Sequence, residues 1–126
     1  MSNSMILLMA LFLFLACQKE MESSTEGVFI RIQNTSKFSY QDIKVVIAEE
    51  RLYEPLAPGA SSAYQRFSKA FRYAYIELKI NGKRFGLQPI DYVGEEELKD
   101  GKYTYQLNVE DTSSLNRQVN LTFKED

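Results

Sequence analysis

The sequence predicts an all-β fold, a single antiparallel two-sheet sandwich of about seven short strands. Three observations carry that expectation. Beyond residue 26, apolar and polar residues alternate and almost no stretch keeps helical spacing. Turn signals recur between the alternating runs. One of them, Asn81-Gly82, sits between two such runs and is the strongest short-range hairpin signal a sequence can carry.

The first strand is "VFIRIQN", with Val28, Ile30 and Ile32 on one face and Arg31 and Gln33 on the other. "TSKFS" turns the chain into "DIKVVIA", where Ile43, Val45 and Ile47 recur at period two and β-branched side chains suit the pleat. "YEPLAPGASS" follows. Its Pro58-Gly59 pair fits a type II turn, because proline presets the first central dihedral and glycine accepts a positive φ at the second. A short third strand, "SAYQRF", comes next.

The hairpin "FRYAYIELKINGKRFGLQP" supplies the fourth and fifth strands, and its turn fixes the register. Counting outward pairs Ile80 with Lys83, Lys79 with Arg84, Leu78 with Phe85, Glu77 with Gly86 and Ile76 with Leu87. Leu78, Phe85, Ile76 and Leu87 then share one face, so pattern and turn agree. On the other face Lys79 opposes Arg84, a repulsion that Glu77 relieves diagonally. Pro89 cannot donate to a ladder and should end the strand or mark an edge. "LKDGKYTYQLNV" is the sixth strand, with Tyr103, Tyr105, Leu107 and Val109 on one face, and "QVNLTF" is the seventh, through Val119, Leu121 and Phe123. Seven short strands of this kind suggest a sandwich of immunoglobulin or transthyretin type.

Ahead of the domain, every residue from Met5 to Ala16 is apolar. That run is too short to cross a hydrocarbon core as a helix, which takes roughly 20 residues. Its length suits the apolar region of a secretory signal, and small Ala16 before Cys17 suits the cut. The residues Leu13, Phe14, Leu15, Ala16 and Cys17 resemble a bacterial lipobox. The resemblance implies that the Cys17 thiol receives a diacylglyceryl group, that the leader is removed in front of it, and that the new amine gains a third acyl chain. Two or three chains anchor stably where a single one binds only marginally. The expected organisation is therefore a signal peptide over residues 1–16, a lipidated cysteine and flexible tether over 17–26, and the sandwich over 27–126. The acidic opening after Cys17 is similar to the short signals that send some Bacteroidota lipoproteins to the outer face of the outer membrane. The runs "VFIRIQNTS", "YAYIELKINGK", "PIDYVGEE" and "LKDGKYTYQL" resemble those of small Bacteroidota lipoproteins whose domains are β-sandwiches. "DGKYTY" is also similar to a strand entry in which a tyrosine hydroxyl staples a corner to the backbone, a place Tyr103 fits better than Tyr105.

Composition narrows the function. All 15 basic and 17 acidic residues lie after Cys17, giving a formal net charge of −2, too balanced for a nucleic-acid binder. There is no histidine, which removes histidine-based triads, histidine metal ligands and histidine pH switches. No cofactor is expected. The acidic loop "DYVGEEELKD", with Asp91, Glu95, Glu96, Glu97 and Asp100, lacks the spacing of a calcium loop and reads as solvated. A glycosidase pair would need two of these carboxylates converging in a cleft. Tyr73 and Tyr75 share a face with Glu77 and Lys79, opposite Ala74, Ile76, Leu78 and Ile80, and are the candidate ligand-binding residues. Two such rings stack on a sugar or anchor a protein partner, or serve only to stabilise an exposed sheet. The expected function is a non-enzymatic binding or assembly module of the envelope, joined to the membrane through Cys17 and meeting a protein or glycan. A purely structural subunit and a carboxylate-based glycan hydrolase are the alternatives.

Overall fold

In the computed structural model of the chain, which describes residues 26–89, 95–113 and 115–126, the alternation becomes eight strands and, among the described residues, no helix. They are β1 (Val28–Asn34), β2 (Gln41–Val46), β3 (Glu50–Tyr53), β4 (Gln65–Phe67), β5 (Tyr75–Ile80), β6 (Lys83–Leu87), β7 (Gly101–Asn108) and β8 (Asn120–Glu125). Two four-stranded sheets result, in the orders β4-β1-β7-β8 and β3-β2-β5-β6. The signal peptide, Cys17 and most of the tether expected from the sequence lie outside the described residues, as does Asp91.

The hairpin has the register counted from its turn, from Ile80↔Lys83 to Ile76↔Leu87. Asn81 and Gly82 both take positive φ, 50° and 78°, as a type I′ turn requires. At the other turn, Gly59 has φ 81° and the Ala60 amide donates to Ala57, which closes the bend around Pro58.

Two expectations need correction. Eight strands replace seven, because "ERLY" forms β3 at an edge, and the short strand expected over 62–67 is β4, trimmed to its last three residues. β3 escapes a pattern search because only Tyr53 of its four residues turns fully inward, whereas Leu52 is 66% exposed. Nor is the sandwich strictly antiparallel. β1 pairs with β7 in parallel, from Val28↔Gly101 to Asn34↔Leu107. Period-two alternation reports which face a residue occupies and carries no information on strand direction. A smaller irregularity lies in β2, where the register slips between Gln41 and Lys44 and Asp42 bulges into positive φ.

The core lies between the sheets. Ile30, Ile32, Ile43, Val45, Ile76, Leu78, Phe85, Tyr105 and Leu107 are wholly buried. Buried tyrosines tie the layers together through their hydroxyls. Tyr53 on β3 donates to the Ile30 carbonyl of β1 at 2.8 Å, Tyr40 donates to the Leu107 carbonyl of β7 at 2.8 Å, and Tyr105 donates to the Phe71 carbonyl. Burial pushes the phenols of Tyr53 and Tyr105 far above their ordinary value, so all three remain neutral donors. Tyr103 donates to the Lys99 carbonyl four residues upstream at 2.7 Å, which is the corner staple its place in "DGKYTY" implied.

Asn34 organises the end of the sandwich farther from the chain entry. Its Nδ2 donates to the carbonyls of Phe38 and Leu56, and its Oδ1 accepts from the amide and hydroxyl of Ser36. The side chain is completely buried and its hydrogen-bonding capacity is filled. Asn34→Ala should therefore destabilise the fold by about 2–3 kcal/mol, since several buried groups lose their partner at once. Thermal unfolding checks this, with a fall in Tm on the order of 10 °C expected.

Candidate functional site

The two sheets do not meet evenly along their edges. At the β3 and β4 side, the Gln65 amide donates to the Leu52 carbonyl at 2.6 Å and Arg51 Nε donates to the Arg66 carbonyl at 3.1 Å, lacing the edges together. At the β6 and β8 side, residues 117–119 run along β6. The Gly86 amide donates to Arg117 and the Val119 amide donates to Gly86. Beside this bridge a cleft of about 520 Å³ remains, lined by Arg72, Tyr73, Leu87, Pro89, Gln118, Val119, Asn120, Leu121 and Phe123. That volume lies within the range of small-ligand sites. The side chains are mostly apolar, with Arg72 and two amides as polar groups.

Tyr73 is thus one wall of a cleft. It also lines a smaller recess of about 240 Å³ with Val46, Ile47, Lys69 and Phe71. Tyr75 does not join it in either. It sits on β5 opposite Val46, on the sheet face that carries Glu77, whose carboxyl it helps to hold below the ordinary value. Both rings are half-buried. Sequence alternation places the two tyrosines on one platform, and the structure divides them between a seam and a sheet face.

The outer face of the second sheet is a closed charge ladder. Glu77 Oε2 lies 2.9 Å from Lys44 Nζ, and Glu77 Oε1 lies 2.8 Å from Arg84 Nε, which is the diagonal relief expected of it. Lys44 also reaches Glu50, and Lys79 pairs with Asp42. The hydrogen bond from Lys44, with the Arg84 charge behind it, holds the Glu77 carboxyl below its ordinary value against the opposing effect of burial. In the acidic loop, Glu97 pairs with Lys69 at 3.2 Å. Among the described residues, no group of three or more acidic, cysteine or histidine side chains converges as a metal site would require.

A second polar cluster was not foreseen. On the outer face of the first sheet, Asp126 accepts from the hydroxyls of Thr104 and Tyr64 at 2.6 and 2.7 Å, and Arg31 Nε donates to Thr104 while lying 3.6 Å from Asp126. Arg31 and Lys102 each approach the Tyr64 ring to 5.2 Å. Burial works against the Asp126 charge, but these donors prevail and hold its carboxyl below the ordinary value. The alternation of "VFIRIQN" and "KYTYQ" does place Arg31 and Thr104 outward. Nothing in the sequence brings Tyr64 or Asp126 to them.

Comparison with protein-family models, curated proteins and solved structures gives no match for this chain.

The ladder has a pH signature. Because the Glu77 carboxyl sits below its ordinary 4.5 in the folded chain, its stabilisation is complete above that pH and is lost as pH falls through the folded value. Urea unfolding from about pH 5 down to about pH 2 should show falling stability, and Glu77→Gln should flatten part of that slope. An unchanged slope in Glu77→Gln would remove Glu77 from the acid response.

Proposed function

We propose that this protein is a non-enzymatic binding or assembly module of the bacterial envelope, tethered to the outer membrane through lipidated Cys17. The apolar run ending in "LFLAC" supports the tether. The observation that carries the binding reading is the seam cleft, in which Tyr73 faces Leu87, Val119, Leu121 and Phe123. An aromatic ring with a polar tip beside apolar walls suits a protein segment or a sugar ring. No carboxylate appears among the described residues of that lining, so the cleft does not favour a glycan hydrolase.

Of the two sandwich types the sequence suggests, the strand order favours the transthyretin-like one. An immunoglobulin constant-type sandwich keeps its first two strands as neighbours in one sheet, whereas β1 and β2 here stand in different sheets.

Cell fractionation and affinity capture with a tagged full-length chain test the proposal together. Cys17→Ser should move the protein from the membrane to the soluble fraction, and Tyr73→Ala should lose the captured partner while remaining membrane-bound. Membrane retention of Cys17→Ser would contradict the tether, and undiminished capture by Tyr73→Ala would take binding away from the cleft.

A further inference from the structure

The two outer sheet faces differ in charge in a way that the overall balance of the chain conceals. On the second sheet the outward cations Lys44, Lys79 and Arg84 are each paired with a carboxylate. On the first sheet the register sets Arg66, Phe29 and Lys102 in one row across β4, β1 and β7. The row two residues further along holds Arg31, Thr104 and Lys124. Against these four cations the face sets Asp126, which Thr104, Tyr64 and Arg31 already engage and whose charge Lys124 also supports, while Arg66 also acts on Glu49 at the neighbouring edge. Lys102 and Lys124 are exposed and form no ion pair among the described residues.

The position of the patch adds to its charge. Arg66 Nε donates to the Glu26 carbonyl at 2.9 Å and lies over Gly27, where a Cβ would come within 2.5 Å of Nε. The Gly101 amide donates to Gly27, and the Asp126 amide donates to Lys102. The cations therefore surround the point at which the chain enters the domain. Residues 18–26, between Cys17 and that point, reach about 30 Å at most even when fully extended.

We propose that this face docks on the anionic phospholipid headgroups of the membrane that holds the chain, an inference that deepens the tethered reading and rests on it. Strands lie about 4.8 Å apart, so the Arg66-Phe29-Lys102 row spans roughly 10 Å of the sheet's outer face. A row of that length meets more than one phosphate of a bilayer at once. Phe29 and Tyr64, half-buried among the cations, supply the amphipathic rings that suit an interface. A lipid chain and a cationic surface reinforce one another in membrane attachment. The result is a domain held in one orientation, with the first sheet toward the bilayer.

The test uses the full chain carrying Cys17→Ser, bound to vesicles of phosphatidylcholine alone or mixed with phosphatidylglycerol. Ahead of Cys17 the leader's one charge is its α-amine, the same in every variant, so the change in the ratio between variants reads the patch. The chain should prefer the anionic vesicles, and raised salt should abolish the preference. Each lysine near an anionic surface is worth about a five-fold change, so Lys102→Gln with Lys124→Gln should lower the ratio about twenty-five-fold. Lys79→Gln on the other sheet should leave it unchanged. Equal binding to both vesicles, a double variant that keeps the preference, or binding to a soluble polyuronate without binding to anionic vesicles would each overturn the proposal. Because no acyl chain is present, this outcome is independent of whether Cys17 is lipidated in cells.

Discussion

The parallel ladder between β1 and β7 is the constraint on which the other features depend. It joins residues 28–34 to residues 101–107, across most of the domain, so its closure entropy is met only when the intervening strands are in place. Its inward side chains, Ile30, Ile32, Tyr105 and Leu107, form the wholly buried centre of the first sheet. Its outward side chains meet as Phe29 with Lys102, Arg31 with Thr104 and Gln33 with Gln106. The last pair is joined by a 2.8 Å hydrogen bond. One register thus sets both the packing of the core and the charge pattern of the outer face.

The domain reaches this arrangement without a disulfide, since the chain has a single cysteine and it precedes the domain. Polar groups placed within the apolar interior take over part of the specifying role. The hydroxyls of Tyr40, Tyr53 and Tyr105 each reach a backbone carbonyl of another element, and Asn34 satisfies four partners at once. Among the described residues, no buried side-chain nitrogen or oxygen lacks a partner. A fully satisfied set of this kind favours one alignment of the sheets, because a shifted alignment would bury the same groups unpaired.

Local chemistry was legible in the sequence, and long-range geometry was not. The hairpin register, the diagonal role of Glu77 and the Pro58-Gly59 turn follow from residues within a few positions of each other. Tyr103 was legible for the same reason, since its acceptor Lys99 is four residues away. β3 was hidden because an edge strand with one inward residue has no period to detect. The direction of β7 was hidden because alternation is the same in both directions. Alternation carried back from β5 puts Tyr73 and Tyr75 on one platform, yet the strand starts at Tyr75. The cluster of Arg31, Tyr64, Thr104 and Asp126 draws on four distant parts of the chain and left no local trace.

Functionally, the fold places a cleft at one seam and a cationic face beside the chain entry, on different surfaces of one sandwich. On the proposed tether, the cationic face would meet the membrane while the cleft stays open to a partner. All of this geometry follows from the direction of β7 against β1. Interstrand backbone NOEs from solution NMR test it most directly. The account predicts contacts that run in the same order along both strands, residue 30 near residue 103 and residue 34 near residue 107. Contacts in the reverse order, with residue 30 near residue 107, would contradict it.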